Sequence, residues 1–395
     1  MFSIKDLRLA FCSLLLFNFG WAAQLAAQTN SALAAVPESR LAHLRHGVNL
    51  SGWFAQVSDP KGLTDDHFKS WVTDDDLALI RKLGFDHVRV GVDPKPSGDP
   101  KPMFVPKQAE QIPPERLKLL DQAVERIVKH DLAVIITLQP DDDFKDHLTK
   151  DPDSVEQFAD FWRGLAGHYV CRAEARCNHE LVFFEVLNEP NVSDLYRWSG
   201  IQAKLVAAIR ESAPQHTIVV TGAQRSNIDG LLFLEPVFDR NVIYSFHYYE
   251  PFVFTHQGAN WSTNYWHRVK QLSYPSSEQS ANAAAGNVPD ALNKFYLVRY
   301  GLENWNEPRI TADIAQVKKW AKDRDVKVIC DEFGVHKTAA SEDRRLWIEH
   351  VRRALEPEIG WTVWDYDGNF GFVKKDERGK VQTDDGVLKA LGLQR

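Results

Sequence analysis

The sequence predicts a single (β/α)8 barrel, an α/β fold with a parallel sheet. Three observations support this: eight short β-rich runs, segments of helical periodicity between them, and no glycine-rich phosphate turn after the first run, where an open doubly wound sheet would carry one. The runs are HGVNLSGW (46–53), HVRVGVD (87–93), AVIITLQP (133–140), LVFFEVLNEP (181–190), TIVVTGAQ (217–224), NVIYSFHYY (241–249), KVICDEFG (327–334) and GWTVWDYD (360–367). Each is rich in β-branched and aromatic residues and bounded by turn formers.

The helices follow in order. DDDLALIRKLG is expected to be capped by Asp74 and ended by Gly84, and PPERLKLLDQAVERIVKHD opens on proline, which suits a first helical turn. SVEQFADFWRGLAGHY, DLYRWSGIQAKLVAAIRESAP, TADIAQVKKWAKDRD and SEDRRLWIEHVRRALEP continue the alternation. The proline-rich stretch 93–108 and the Ser/Ala-rich stretch 273–287 read as loops of the same domain, and 250–310 is long for a barrel loop.

The chain of 395 residues, 44% hydrophobic and 26% charged, has globular proportions and ample core. A formal charge of -7 argues against nucleic acid as partner, because phosphate backbones are held by Lys and Arg. Lys5 and Arg8 precede the apolar run LAFCSLLLFNFGWAA and then small residues, the order of a secretory signal. Residues 1–34 are therefore expected to be removed, with cleavage between 27 and 35, leaving a catalytic domain over 35–395 that is secreted or periplasmic. Cys171 and Cys177 bracket a polar loop; a local disulfide is expected in an oxidising compartment, free thiols being the alternative. Cys330 reads as a small buried hydrophobe.

Two acids stand where apolar strands end. The fourth run is apolar to Leu187 and then presents Asn188 and Glu189; the seventh is apolar to Cys330 and then presents Asp331 and Glu332. Strand ends form the active face of a barrel, and a pair of carboxyls across one cleft is what glycoside hydrolysis requires. Asn-Glu-Pro recurs at 306–308, but no β-rich run precedes it and a helix start signal, Thr311, follows, so Glu307 reads as a solvated loop acid. His247 and Tyr249 alternate to one side of the sixth run, while Tyr248 points away.

Taken together, LNEPN, FHYYEP, CDEFG and WTVWDYDGNFG, with HGVNLSGW and HVRV upstream, resemble glycoside hydrolase family 5, the cellulase-like retaining glycosidases of the Asn-Glu barrel clan. The resemblance runs from about Gly47 to Phe372 and implies Glu189 as general acid/base and Glu332 as nucleophile. It further implies Asn188 on the sugar 2-hydroxyl, Arg89 beside Glu332, His247 beside Glu189, Tyr249 bonded to Glu332, and Trp364 as the platform under the reactive sugar. Where the family usually has a histidine after the third strand, this chain has Gln139, which can bond a hydroxyl but carries no charge. His147 could substitute, although it reads as a surface residue, and Asp141, Asp142 and Asp143 read as a solvated run with too few ligands for calcium.

The expected chemistry is double displacement with Glu189 kept protonated by its surroundings, the two carboxyls about 5 to 5.5 Å apart, and no metal or organic cofactor. The expected partner is a β-linked glucan cut internally at β-1,4 bonds by a monomer that contacts neither nucleic acid nor, once the signal is gone, membrane. Alternatives are β-1,3-glucan, β-mannan, an exopolysaccharide, or a glycan-binding barrel without activity. Trp53, Phe54, Trp198, Trp261, Trp266 and Phe370 are spare aromatics, platforms or core.

Overall fold

The computed structural model describes residues 35–57, 62–170, 175–261, 265–376 and 381–393. All eight runs become strands: β1 His46–Asn49, β2 His87–Val92, β3 Ala133–Leu138, β4 Val182–Glu185, β5 Ile218–Thr221, β6 Val242–Tyr248, β7 Lys327–Phe333 and β8 Gly360–Val363. Each pairs in parallel with the next, and β8 pairs with β1 to close the barrel. The candidate signal segment 1–34 and Cys171 lie outside the described residues; Cys177 is disulfide-bonded.

Several strands end before the β-rich run does. On β4 the ladder stops at Glu185, yet the chain continues to Asn188, whose amide donates to the Leu138 carbonyl at 2.8 Å. The residues after the ladder are thus still tied to the barrel rim.

Alternation along the strands explains why chemistry sits at that rim. Ala133, Ile135, Phe183, Val219, Ile243 and Ile329 form one apolar cluster plugging the barrel with Val36 and Leu44. Two residues further along each strand the inward positions turn polar: Thr137, Glu185, Thr221, Ser245 and Asp331, all buried. Period-two geometry therefore stacks a polar layer on an apolar one. The outer faces of the strands meet amphipathic helices such as Pro114–Lys129, which buries Leu119, Leu120, Ala123, Val124 and Ile127.

Local details depart from the sequence reading. Thr73, not Asp74, caps the helix Asp74–Lys82, in a reciprocal box with Asp76. The stretch 250–310 is not an open loop: it holds helices Phe252–Thr255, Glu278–Gly286 and Ala291–Leu302, with the next helix beginning at Glu307. The Ser/Ala-rich segment is helical because small residues permit close packing; a Cβ on Gly301 would stand 2.9 Å from Ala281. A hairpin of Val373–Lys375 and Val381–Thr383 was not anticipated. No helix among the described residues is long and apolar enough to cross a membrane.

Candidate active site

Arg89 on β2 organises the rim. Its Nε and Nη2 donate to the two oxygens of Glu185, each at 2.6 Å, while Nη1 reaches Glu332 at 2.6 Å and Asn49 at 3.0 Å. Nη2 also donates to Oδ1 of Asn188 at 2.8 Å, which leaves the Asn188 amide nitrogen to meet a ligand. The arginine is fully buried, so its charge is sustained only because the carboxyls of Glu185, Glu332 and Asp331 surround it. Arg89 touches the expected nucleophile and also forms a barrel salt bridge with Glu185, a residue inside a run that reads as apolar.

Glu189 and Glu332 converge. An oxygen of each and a ring nitrogen of His247 all lie within 4.8 Å of one another, a spacing that could also hold a metal ion. Glu189 adopts a left-handed backbone, φ 47°, unusual for a residue with a side chain and costly unless the surroundings hold it. His247 Nδ1 lies 3.1 Å from Glu189 and 3.4 Å from Glu332. The Tyr249 hydroxyl donates to Glu332 at 2.9 Å. Tyr248 points outward, donating to Asp313 at 2.9 Å.

The electrostatics correct one expectation. Burial alone would push the Glu189 carboxyl up, but the hydrogen bond and charge of His247, with Lys145 and Arg225 nearby, bring it down to about 2. For His247, burial opposes the charge, yet Glu332, Glu189 and Asp331 raise it to about 9. The free enzyme thus keeps the proton on the imidazole rather than on Glu189, because the hydrogen bond and nearby cations outweigh the cost of burying that carboxylate.

A cleft of about 810 Å³ is lined by Trp71, Gln139, Asn188, Glu189, Glu332 and Trp364 among others. Gln139 lines this cleft, and a Cβ on Gly91 would displace its Oε1 from the present position. A second arm of about 630 Å³ shares Glu189, Tyr249 and Phe252 and runs past Arg225, Tyr296 and Trp305. Trp261 is 56% exposed and lines the first arm, as does Phe370, whereas Trp53, Trp198, Trp266 and Phe54 are core. Trp361 is buried packing. Trp71, 43% exposed on the cleft wall, was missed because it closes a short helix far from any strand end. His147 is exposed beside Asp151. The aspartates after β3 are not merely solvated: Asp141 caps the helix Asp142–Lys150 and Asp142 pairs with Arg225 at 2.9 Å.

The cellulase model, glycosyl hydrolase family 5, matches residues 54–370. The chain belongs to glycosyl hydrolase family 5. Within this cellulase family it is 29% identical over 371 residues to Endoglucanase 3 of Fibrobacter succinogenes, covering 90% of this chain but 54% of that relative. It is 29% identical over 328 residues to Endoglucanase C of Acetivibrio thermocellus, covering 81% of this chain and 90% of the relative. In fold it is similar to endoglucanase Cel5A of Thermotoga maritima, with a TM-score of 0.70 at 24% identity, covering 90% of this chain and 100% of the other. The family 5 chain is accordingly a glycoside hydrolase on a TIM barrel.

Proposed function

We propose that the enzyme is an endo-acting β-1,4-glucanase that works by double displacement with net retention. The observation that carries this reading is the placement of Glu189 and Glu332, within 4.8 Å of each other where the two arms of the cleft meet. Inverting enzymes hold their carboxyls about 6.5–9.5 Å apart to admit a water, whereas retaining ones keep them about 5–5.5 Å apart. Space on both sides of the acids suits a chain threaded through the cleft rather than a terminal sugar lodged in a blind pocket. The endoglucanase names of the relatives support the glucan assignment.

Glu332, held by Arg89 and Tyr249, attacks the anomeric carbon. Glu189 relays the proton: it takes one from Nδ1 of His247 and passes it to the departing oxygen, ending the step as a carboxylate beside a neutral imidazole. In the second step Glu189 accepts a proton from the attacking water, which releases Glu332 and recharges the imidazole. The Asn188 amide and the Trp364 ring position the reactive sugar, and Gln139 bonds a hydroxyl beside it. Trp71 and Trp261 offer further stacking surface.

The test is product analysis on carboxymethylcellulose, mixed-linkage glucan, laminarin, mannan and xylan. The reading expects a rapid fall in viscosity with carboxymethylcellulose; release only from laminarin or mannan would reassign the linkage. Export is part of the same proposal, supported by the N-terminal pattern and by a disulfide at Cys177, which suits an oxidising compartment. Sequencing the mature N-terminus should find it between residues 27 and 35.

A further inference from the structure

Asp331, directly before the expected nucleophile, is used by none of the steps above. Its carboxyl is fully buried in the polar layer of the barrel, and neither oxygen has a hydrogen-bond partner. The same is true of Nε2 of His247, yet the two face each other at 3.5 Å. On the other side of the ring, Nδ1 faces Glu189 at 3.1 Å and Glu332 at 3.4 Å. The remaining charges around this group are Arg89 from β2, 3.7 Å from Asp331, and Glu185 from β4, whose two oxygens are taken by Arg89. Tyr249, on the imidazole's own strand, spends its proton on Glu332. Of these groups only Asp331 is placed to meet Nε2.

We propose that Asp331 is a positioning residue that shares a proton with Nε2 of His247 and thereby keeps Nδ1–H directed at Glu189. The proposal rests on the reading of Glu189 as acid/base. Two proton placements are available, and both give the same outcome. If the shared proton sits on nitrogen, His247 is an imidazolium and donates from both sides. If it sits on Asp331, the carboxyl donates to Nε2, and the ring is the neutral tautomer with its one proton on Nδ1. Either way Glu189 faces a donor. The buried aspartate therefore converts a residue that ordinarily chooses between tautomers into one with a fixed direction of proton delivery. Burial and the neighbouring Glu185 push the Asp331 carboxyl up to about 7, while Glu332, Glu189 and Asp331 raise His247 to about 9 against its burial. During glycosylation the proton on Nδ1 passes through Glu189 to the leaving oxygen, and Glu189 ends as a carboxylate ready to act as base. Nε2 keeps or receives the shared proton, which leaves a neutral ring and an Asp331 carboxylate 3.7 Å from the Arg89 guanidinium.

The experiment is a histidine 15N titration of the full-length enzyme, from about pH 5 to about pH 10, on wild type and Asp331→Asn, with the resonance of His247 assigned by His247→Gln. An amide can still hydrogen-bond Nε2 but cannot carry the charge. Wild type should keep His247 protonated on both nitrogens into the alkaline range, and Asp331→Asn should lower its midpoint by about one pH unit or more, a tenfold loss of proton affinity. The alkaline limb of kcat/KM should move to lower pH by the same amount, and adding Asp331→Asn to His247→Gln should not move it further. Coincident midpoints in the two proteins would overturn the proposal. If Asp331→Asn does not fold, wild type alone decides: a His247 midpoint near the ordinary 6.5, or a ring bare at Nδ1, would overturn it. Should the titration behave as expected while azide fails to rescue Glu189→Ala, the acid/base reading fails and the Asp331 pairing stands.

Discussion

The two copies of Asn-Glu-Pro share three residues and nothing else. At 188–190 they follow the ladder of β4: Asn188 is buried against Arg89, and Glu189 is turned into the cleft by a left-handed backbone. At 306–308 they begin a helix. Asn306 caps Glu307–Arg324 by accepting from the Arg309 amide, Pro308 sits in the first turn, and Glu307 pairs with Arg353 at 3.2 Å and faces His350 at 3.5 Å. Glu307 is therefore not the solvated loop acid the sequence suggested, because Asn, Glu and Pro are also favoured at helix starts, where amides lack partners and the dipole welcomes a negative charge. The difference shows that a motif acquires its chemistry from the element it terminates or opens.

Substitution can break that comparison or sharpen it. Glu332→Ala should abolish turnover, with azide restoring it and giving the α-configured product; unchanged kinetics would end the assignment. Glu189→Ala should lose ~10²–10⁴-fold in kcat on substrates with poor leaving groups, the range for a missing general acid. Glu307→Gln, by contrast, should leave kcat untouched. Asn188→Ala removes a hydrogen bond that strengthens in the transition state and should cost about 10- to 100-fold in kcat/KM. Asn306→Ala should instead lower stability by about 1 kcal/mol, read as a shift in denaturant midpoint, with normal turnover. The smallest effect belongs to Arg353→Ala, where a half-exposed ion pair contributes ~0–1 kcal/mol.

The pH dependence of stability separates the two regions again. His247 has its folded-state value raised to about 9 from an ordinary 6.5. Its contribution is complete below pH 6.5 and is lost as pH rises through about 9. Melting curves of His247→Gln should therefore lack the part of the alkaline decline that wild type shows between those limits. An identical decline in both proteins would place the titration elsewhere.

Much of the barrel was legible because β-branched runs and helical periodicity are local signals, and the positions of Glu189 and Glu332 at the rim were legible because each ends an apolar run, while their proposed roles rest on the family resemblance. Alternation put His247 and Tyr249 on one face, and the resemblance supplied their expected partners. What escaped depends on contacts distant in sequence. Glu185 reads as a stray polar residue until Arg89 is seen to take both its oxygens. Asp331 gains meaning only from a ring nitrogen on the neighbouring strand. Trp71 reaches the cleft from a short helix after β1, with its indole nitrogen on the Ser51 carbonyl. Charge was equally hidden: burial raises Glu189, but His247 from β6 and then Lys145 and Arg225, from the segments after β3 and β5, bring it down, against the expectation of a protonated acid.

The central claim is that Glu332 attacks carbon while Glu189 handles the proton. Incubation with a 2-deoxy-2-fluoro cellobioside bearing an activated leaving group, followed by peptide mass spectrometry, tests it directly. A single sugar adduct on the peptide carrying Glu332, with loss of activity in step with labelling, is the predicted result. A label on Glu189, or steady turnover with no adduct and an inverted first product, would contradict it.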